Sequence, residues 1–246
     1  MRKYHRNLTT NDSDIPEIAQ LWMCRVLIKL GAHQQLIKDG RLDDNAIAYA
    51  IGLGDWVDSD DFGKSYRVKC LNELKSIHTS LERNAHKIKL PTGISANIAQ
   101  LSNLVGLNNA EGEILGFAVL LETIGVLKSV VEYLGNLTTA KMCRHLSEIL
   151  QIPECDIKNA LSTQGILHRS GLLTIDRQCQ SMDYKIDLLS KGFADTLVSV
   201  VASPNEYLKG VVMPSTAPEL GMDDFEHIKD FIQILQPYFN HTLSTA

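Results

Sequence analysis

Apolar residues recur at three- and four-residue steps through most of this chain, the period of helices that bury one face. Ile15, Ile18, Leu21, Trp22, Val26 and Leu30 outline a first helix. Ser13 or Asp14 caps it, Pro16 and Glu17 sit in its opening turn, and Gly31 ends it. A short helix is expected over about Asp44–Ile51, followed by an acidic loop with Asp55, Asp58, Asp60 and Asp61. Val68, Leu71, Leu74, Ile77 and Leu81 then mark a third helix from about Lys64 to Asn84. The stretch Lys89-Leu-Pro91-Thr-Gly93 is a helix breaker and sets the expected boundary of a helical N-terminal subdomain, residues 1–94. Past it, Ser95 is expected to cap a short helix ending at Gly106.

The pattern sharpens from Asn108 onward. Asn108 and Glu111, three residues apart, have the form of a capping box. The helix they open is expected to run from Asn109 to about Leu134. It is apolar nearly all round, with Glu122, Ser129 and Glu132 as its polar stripe, which puts it in the middle of a core. Thr138 or Thr139 starts the next helix, which ends near Leu150. Met142, Leu146, Ile149 and Leu150 face inward there, and Lys141, Arg144, His145 and Glu148 face outward. Pro153 opens a third that ends before Gly165, with Ile157, Ala160 and Leu161 facing in.

The period then changes to two. Leu172–Asp176 and Tyr184–Leu188 read as strands joined by a polar turn, with Tyr184, Ile186 and Leu188 on one face and Lys185 and Asp187 on the other. Ser190 is expected to cap a helix to about Ala202. Three helices followed by a two-stranded β-ribbon is the layout of a winged-helix-like domain, here residues 95–202. Pro204, Pro214 and Pro218 punctuate residues 203–246, a C-terminal helical connector with an amphipathic helix near Asp224–Leu235. The expected fold class is therefore mainly α, with that ribbon as the one clear antiparallel pair.

Composition narrows the class without choosing a function. The 246 residues are 44% hydrophobic and 22% charged, ordinary for a globular protein. Twenty-four basic against 29 acidic residues give a net charge of −5, which supplies no general attraction to nucleic acid. Five scattered cysteines lack CxxC spacing. Cys24, Cys70 and Cys143 fall inside helical patterns, so buried free thiols and a reducing, cytoplasmic setting are expected. No apolar signal core follows the basic start, and no run reaches the roughly 18 apolar residues of a membrane span. No membrane partner is expected.

Several segments superficially resemble chemical motifs. Gly63-Lys64-Ser65 ends like a phosphate loop, but Asp58 stands where that loop needs glycine, and Asp60 and Asp61 lie inside it. As a calcium loop the same stretch would put Lys69 where a bidentate glutamate belongs. Gly52-Leu-Gly54 lacks the third glycine of a dinucleotide fingerprint. The histidines show neither HxxxH nor HExxH spacing, and no GxSxG elbow is present. No catalytic, cofactor-binding or metal-binding residue is assigned, and no enzyme activity is expected of this chain.

Winged helices often bind DNA, with the third helix in the major groove. The outward residues of that helix are Glu154, Asp156, Lys158, Asn159 and Ser162. The ribbon offers Arg177 and Lys185 beside Asp176, Asp183 and Asp187. Across Gly112–Ser190 seven basic residues face nine acidic ones. A DNA-binding transcriptional regulator, the alternative, would rely on Lys158, Arg169, Arg177 and Lys185. The charge balance disfavours it against protein contacts.

Leu101-Ser-Asn-Leu-Val-Gly-Leu107, Glu113-Ile-Leu-Gly-Phe-Ala-Val-Leu-Leu121, Leu134-Gly135, Gly165-Ile-Leu-His-Arg-Ser-Gly171-Leu-Leu-Thr-Ile-Asp176 and Asp223-Asp-Phe-Glu-His-Ile228 carry a resemblance. Together they resemble the region preceding the ATPase module in a group of bacterial AAA-family ATPases. The similarity covers roughly Leu101 to Leu235, with a looser match over residues 1–90. In that family an ATP-binding core with a phosphate loop, an acidic metal-binding motif and a sensor arginine follows the Asp-Asp-Phe segment. None of these occurs in the 246 residues, so the family's ATPase residues carry over to no position. The resemblance implies either a free-standing homologue or, the favoured expectation, a non-catalytic N-terminal fragment that recruits a protein substrate or regulator to a downstream ATPase module. ATP and magnesium would belong to the parent protein.

Overall fold

The computed structural model describes residues 15–38, 40–57, 63–190 and 192–199, together with Phe231. The expected cap at Ser13 or Asp14, the loop residues Asp58, Asp60 and Asp61, and the connector with its helix near Asp224–Leu235 lie outside the described residues, Phe231 apart. Contacts divide the chain into Met1–Gly210 and Val211–Ala246, and every described residue except Phe231 belongs to the first unit. That unit is mainly helical with two small antiparallel ribbons among the described residues.

Helix α1, Glu17–Ile28, follows Pro16 and is buried almost all round, from Ile18 and Ala19 through Leu21–Leu27. Such a helix has to be enclosed by others. It packs against α4 (Gly63–Asn84), α7 (Gly125–Glu132) and α8 (Thr139–Leu150). Trp22 meets Phe117 edge-on at 5.2 Å, so the core passes directly from the first helix to α6 (Asn109–Thr123). The buried apolar residues from Ile18 to Leu197 form one cluster. Residues 1–94 and 95–199 therefore share a core, and no packing boundary falls at residue 94. Pro91 marks a helix start instead: α5 runs Thr92–Val105, four residues earlier than a Ser95 cap implies, and Gly106 ends it at φ 81°. Proline with extended ψ suits the residue before a first helical turn, because its missing N–H is needed by no hydrogen bond.

Between α1 and α4 the chain makes α2 (His33–Leu36), strands β1 (Ile37–Lys38) and β2 (Arg41–Leu42), and α3 (Asn45–Ala50). Asp44 caps α3 through Oδ1 to the Ile47 amide, 3.1 Å. Periodicity does not announce the β1–β2 hairpin, since two-residue strands are too short to alternate. The Asp39-Gly40 dipeptide is its available signal. Gly40 has φ 75°, and a Cβ there would stand 2.6 Å from the Gly63 nitrogen, so the hairpin meets α4 backbone to backbone. On α4 the buried face is Tyr66, Cys70 and Leu74, with Leu71, Ile77 and Leu81 half-buried; Val68 is exposed.

The single helix expected over Asn109–Leu134 is two. α6 and α7 meet at Ile124, extended at φ −106° and ψ 99°, with a bend of 101°. Thr123 and Ile124 are β-branched and Gly125 has low helix propensity, together a weak link in a helical run. Packing exploits it: α6 lies against α5, α9 (Glu154–Ala160) and α12 (Phe193–Val198), and α7 against α1 and α3. As expected, every residue from Ile114 to Leu121 is buried.

Candidate interaction surface

Helices α8 and α9 pack together at a hydrogen-bonded corner. Thr138 Oγ1 accepts from the Lys141 amide at 3.3 Å to start α8. Gln151 ends it in the left-handed region at φ 57°, and its Nε2 donates to the Glu148 carbonyl at 2.7 Å. Ser147 Oγ reaches across to the Ile152 carbonyl at 2.5 Å, and Pro153 then sets the entry into α9. Ile157 and Ala160 bury one face of α9.

The opposite face carries Cys155, Asp156, Lys158 and Asn159, all exposed, with Glu154 half-buried. Lys158 Nζ is 2.6 Å from Glu154 Oε1, and Arg144 Nε lies 3.8 Å from Glu154 Oε2. The Lys158 hydrogen bond holds the Glu154 carboxyl below the usual range.

Past α9, Gly165 allows a tight approach that a side chain would block, since its Cβ would run into the Ala160 carbonyl. The short helix α10 (Ile166–Arg169) comes next, fixed by a glutamate 55 residues away. Glu111 Oε2 accepts from the Asn108 amide and Asn108 Oδ1 from the Glu111 amide, both at 2.9 Å, completing the expected capping box. Glu111 Oε1 also accepts from the Ile166 amide at 2.7 Å. One buried carboxylate thus starts α6 and positions the chain entering the ribbon.

That ribbon pairs β3 (Leu173–Ile175) with β4 (Ile186–Leu188), in the register Leu173↔Leu188, Thr174↔Asp187 and Ile175↔Ile186. The second strand does not begin at Tyr184, as alternation predicts. Instead, α11 (Met182–Lys185) closes a helical turn there, with the Lys185 amide on the Ser181 carbonyl. A helical residue turns the chain by about 100° where a strand residue turns it by about 180°. The expected faces therefore exchange: Tyr184 is 64% exposed and Lys185 only 2%.

The four cations of the DNA reading are thus unequal. Lys158 is exposed but paired with Glu154. Arg169 is exposed at the end of α10, and Arg177 on the turn after β3. Lys185 is buried, which corrects its place as a solvent-facing cation.

Sequence reasoning missed a cavity of about 230 Å³ at the foot of the ribbon. Glu122, Lys128, Asp183, Tyr184, Asp187 and Ser190 supply its polar lining. Lys128 Nζ is 3.8 Å from Asp183 Oδ2 and 5.2 Å from the centre of the Tyr184 ring. In sequence, Asp183 is one more polar residue of a turn, and its partner lies on α7.

Burial pushes the Cys24 thiol up to about 12 and Cys70 to about 11, and raises Cys143. Asp176 raises Cys179 through a hydrogen bond. Among the described residues no three His, Cys, Asp or Glu side chains converge as metal ligands. No single helix among them is long and apolar enough to cross a membrane. No protein-family model, curated protein or solved structure matches the chain.

Proposed function

We propose that this chain is the non-catalytic recognition region of an AAA-type ATPase, in which a winged-helix-like module works through protein contacts. The order α6/α7, α8, α9, β3, β4 supports the winged-helix reading. One observation carries the choice of protein over DNA. The exposed face of α9 is acidic, its single lysine is held by Glu154, and Lys185 is buried. Of the four, Arg169 and Arg177 are exposed besides the Glu154-paired Lys158, too few to track a phosphate backbone.

Fluorescence anisotropy against mixed-sequence duplexes at two salt concentrations tests this. Affinity no tighter than the nonspecific range, about 0.1 mM to 1 µM at physiological salt, agrees with protein contacts. Nanomolar affinity with a steep salt slope, lost in Arg169→Ala/Arg177→Ala, would replace it with the DNA-binding reading. The reading frame beyond Ala246 tests the parentage separately. A phosphate-loop motif there supports an AAA parent, and its absence removes that assignment.

A further inference from the structure

The cavity at the foot of the ribbon is smaller than the roughly 300–1,000 Å³ of small-molecule sites, and its size suits a single side chain. Its charged lining is Glu122, Asp183 and Asp187 against Lys128. Asp183 is the unusual member. Its side chain is 1% exposed, yet neither carboxylate oxygen accepts a hydrogen bond. Buried carboxylates ordinarily fill both oxygens, because leaving them bare forfeits the hydration they had in water. The Lys128 ammonium stands near but beyond hydrogen-bond reach, at 3.8 Å, and leans on the Tyr184 ring.

We propose that this cavity takes an arginine side chain from a partner protein, its guanidinium forked onto both oxygens of Asp183 and stacked on Tyr184. Two unfilled oxygens on one carboxylate match the paired N–H groups of a guanidinium, which a lysine ammonium cannot present side by side. Tyr184, exposed at the mouth, offers a flat face to a planar cation. Glu122 and Asp187 are exposed and add negative potential along the approach.

Lys128 then acts as a resident stand-in. Its side chain is 31% exposed, so the ammonium can swing into water while its stem stays packed. If Lys128 and Asp183 were simply a closed structural pair, nothing would displace the lysine. The proposal rests on the protein-contact reading of the module but not on its ATPase parentage.

The test is an amide-resolved NMR titration of the full chain with N-acetylarginine amide, using the lysine and citrulline analogues as controls. Saturable shifts are expected at Lys128, Asp183, Tyr184 and Asp187, larger for arginine than for lysine and absent for citrulline. Asp183→Asn should abolish them. Lys128→Ala should tighten binding several-fold, because it removes the competing cation. Shifts that spread evenly over acidic surface residues, or that survive Asp183→Asn, overturn the proposal. So does weaker binding in Lys128→Ala, which decides the matter even if Asp183→Asn fails to fold. Nanomolar duplex binding in the anisotropy experiment would instead overturn the protein-contact reading, whatever the titration shows.

Discussion

Arg25 and Glu82 are joined across 57 residues by a two-pronged ion pair, with Nε 3.0 Å from Oε1 and Nη2 2.9 Å from Oε2. Arg25 is 5% exposed, and its remaining prong, Nη1, donates to the Ile149 carbonyl at 2.7 Å. One guanidinium therefore links α1, α4 and the end of α8. Arg25→Met strips a partner from both acceptors at once. The expected loss is about 2–3 kcal/mol, below the range for fully buried pairs because Glu82 keeps some solvent. Urea unfolding monitored by tryptophan fluorescence reads it, and an unchanged midpoint would show the pair to be energetically idle.

The same cluster makes stability depend on pH. The Arg25 hydrogen bonds pull Glu82 down to about 2. Its contribution is complete above the ordinary glutamate value of about 4.3 and is lost as the pH falls through the folded value. Burial lowers His78 and His145, so the folded state favours their neutral rings. Their contribution is complete above about pH 6.5 and shrinks as the pH drops below it. The urea midpoint should therefore fall in two stages on acidification. His78→Gln/His145→Gln should flatten the upper stage and Glu82→Gln should make the lower one shallower. A single transition shared by both variants would contradict these assignments.

Glu111 should matter more than an ordinary capping residue. Asn108→Ala removes one side-chain cap, at about 1 kcal/mol. Glu111→Ala leaves the part-buried Asn108 and Ile166 amides without their acceptor, at about 1–2 kcal/mol. Hydrogen exchange should accelerate at Ile166 and through α10 in Glu111→Ala but not in Asn108→Ala. Equal effects at Ile166 would show that the long-range bond contributes nothing.

Thiol labelling offers a direct check on packing. Cys155 is exposed and Cys179 half-buried, whereas Cys24, Cys70 and Cys143 are enclosed and held protonated. Two thiols should react in the native protein and the other three only after denaturant is added. Rapid native labelling of Cys24 would mean that α1 is not the interior helix.

How far each feature could be read from the sequence depends on the range of the forces behind it. Asn108 and Glu111 make their box across three residues, and the unbroken apolar run Ile114–Leu121 declares a core helix by itself. The α6–α7 bend escapes because apolar spacing continues across Ile124, and only packing on different neighbours separates the two helices. Tyr184 and Lys185 exchange faces because a single helical turn shifts the phase of everything before the strand. Asp183 with Lys128, and Arg25 with Glu82, are meetings of distant segments, and no local spacing encodes them.

The burial of α1 has a practical corollary. A helix enclosed on nearly every side by later segments serves as the axle on which the rest of the unit is mounted. Trimming the chain toward residues 95–199 alone would remove that axle and lay bare the apolar faces of α7 and α8. Truncation series would then report aggregation as if it were lost recognition. Point substitutions on the surface, or two co-expressed pieces that reassemble around α1, are the cleaner dissection.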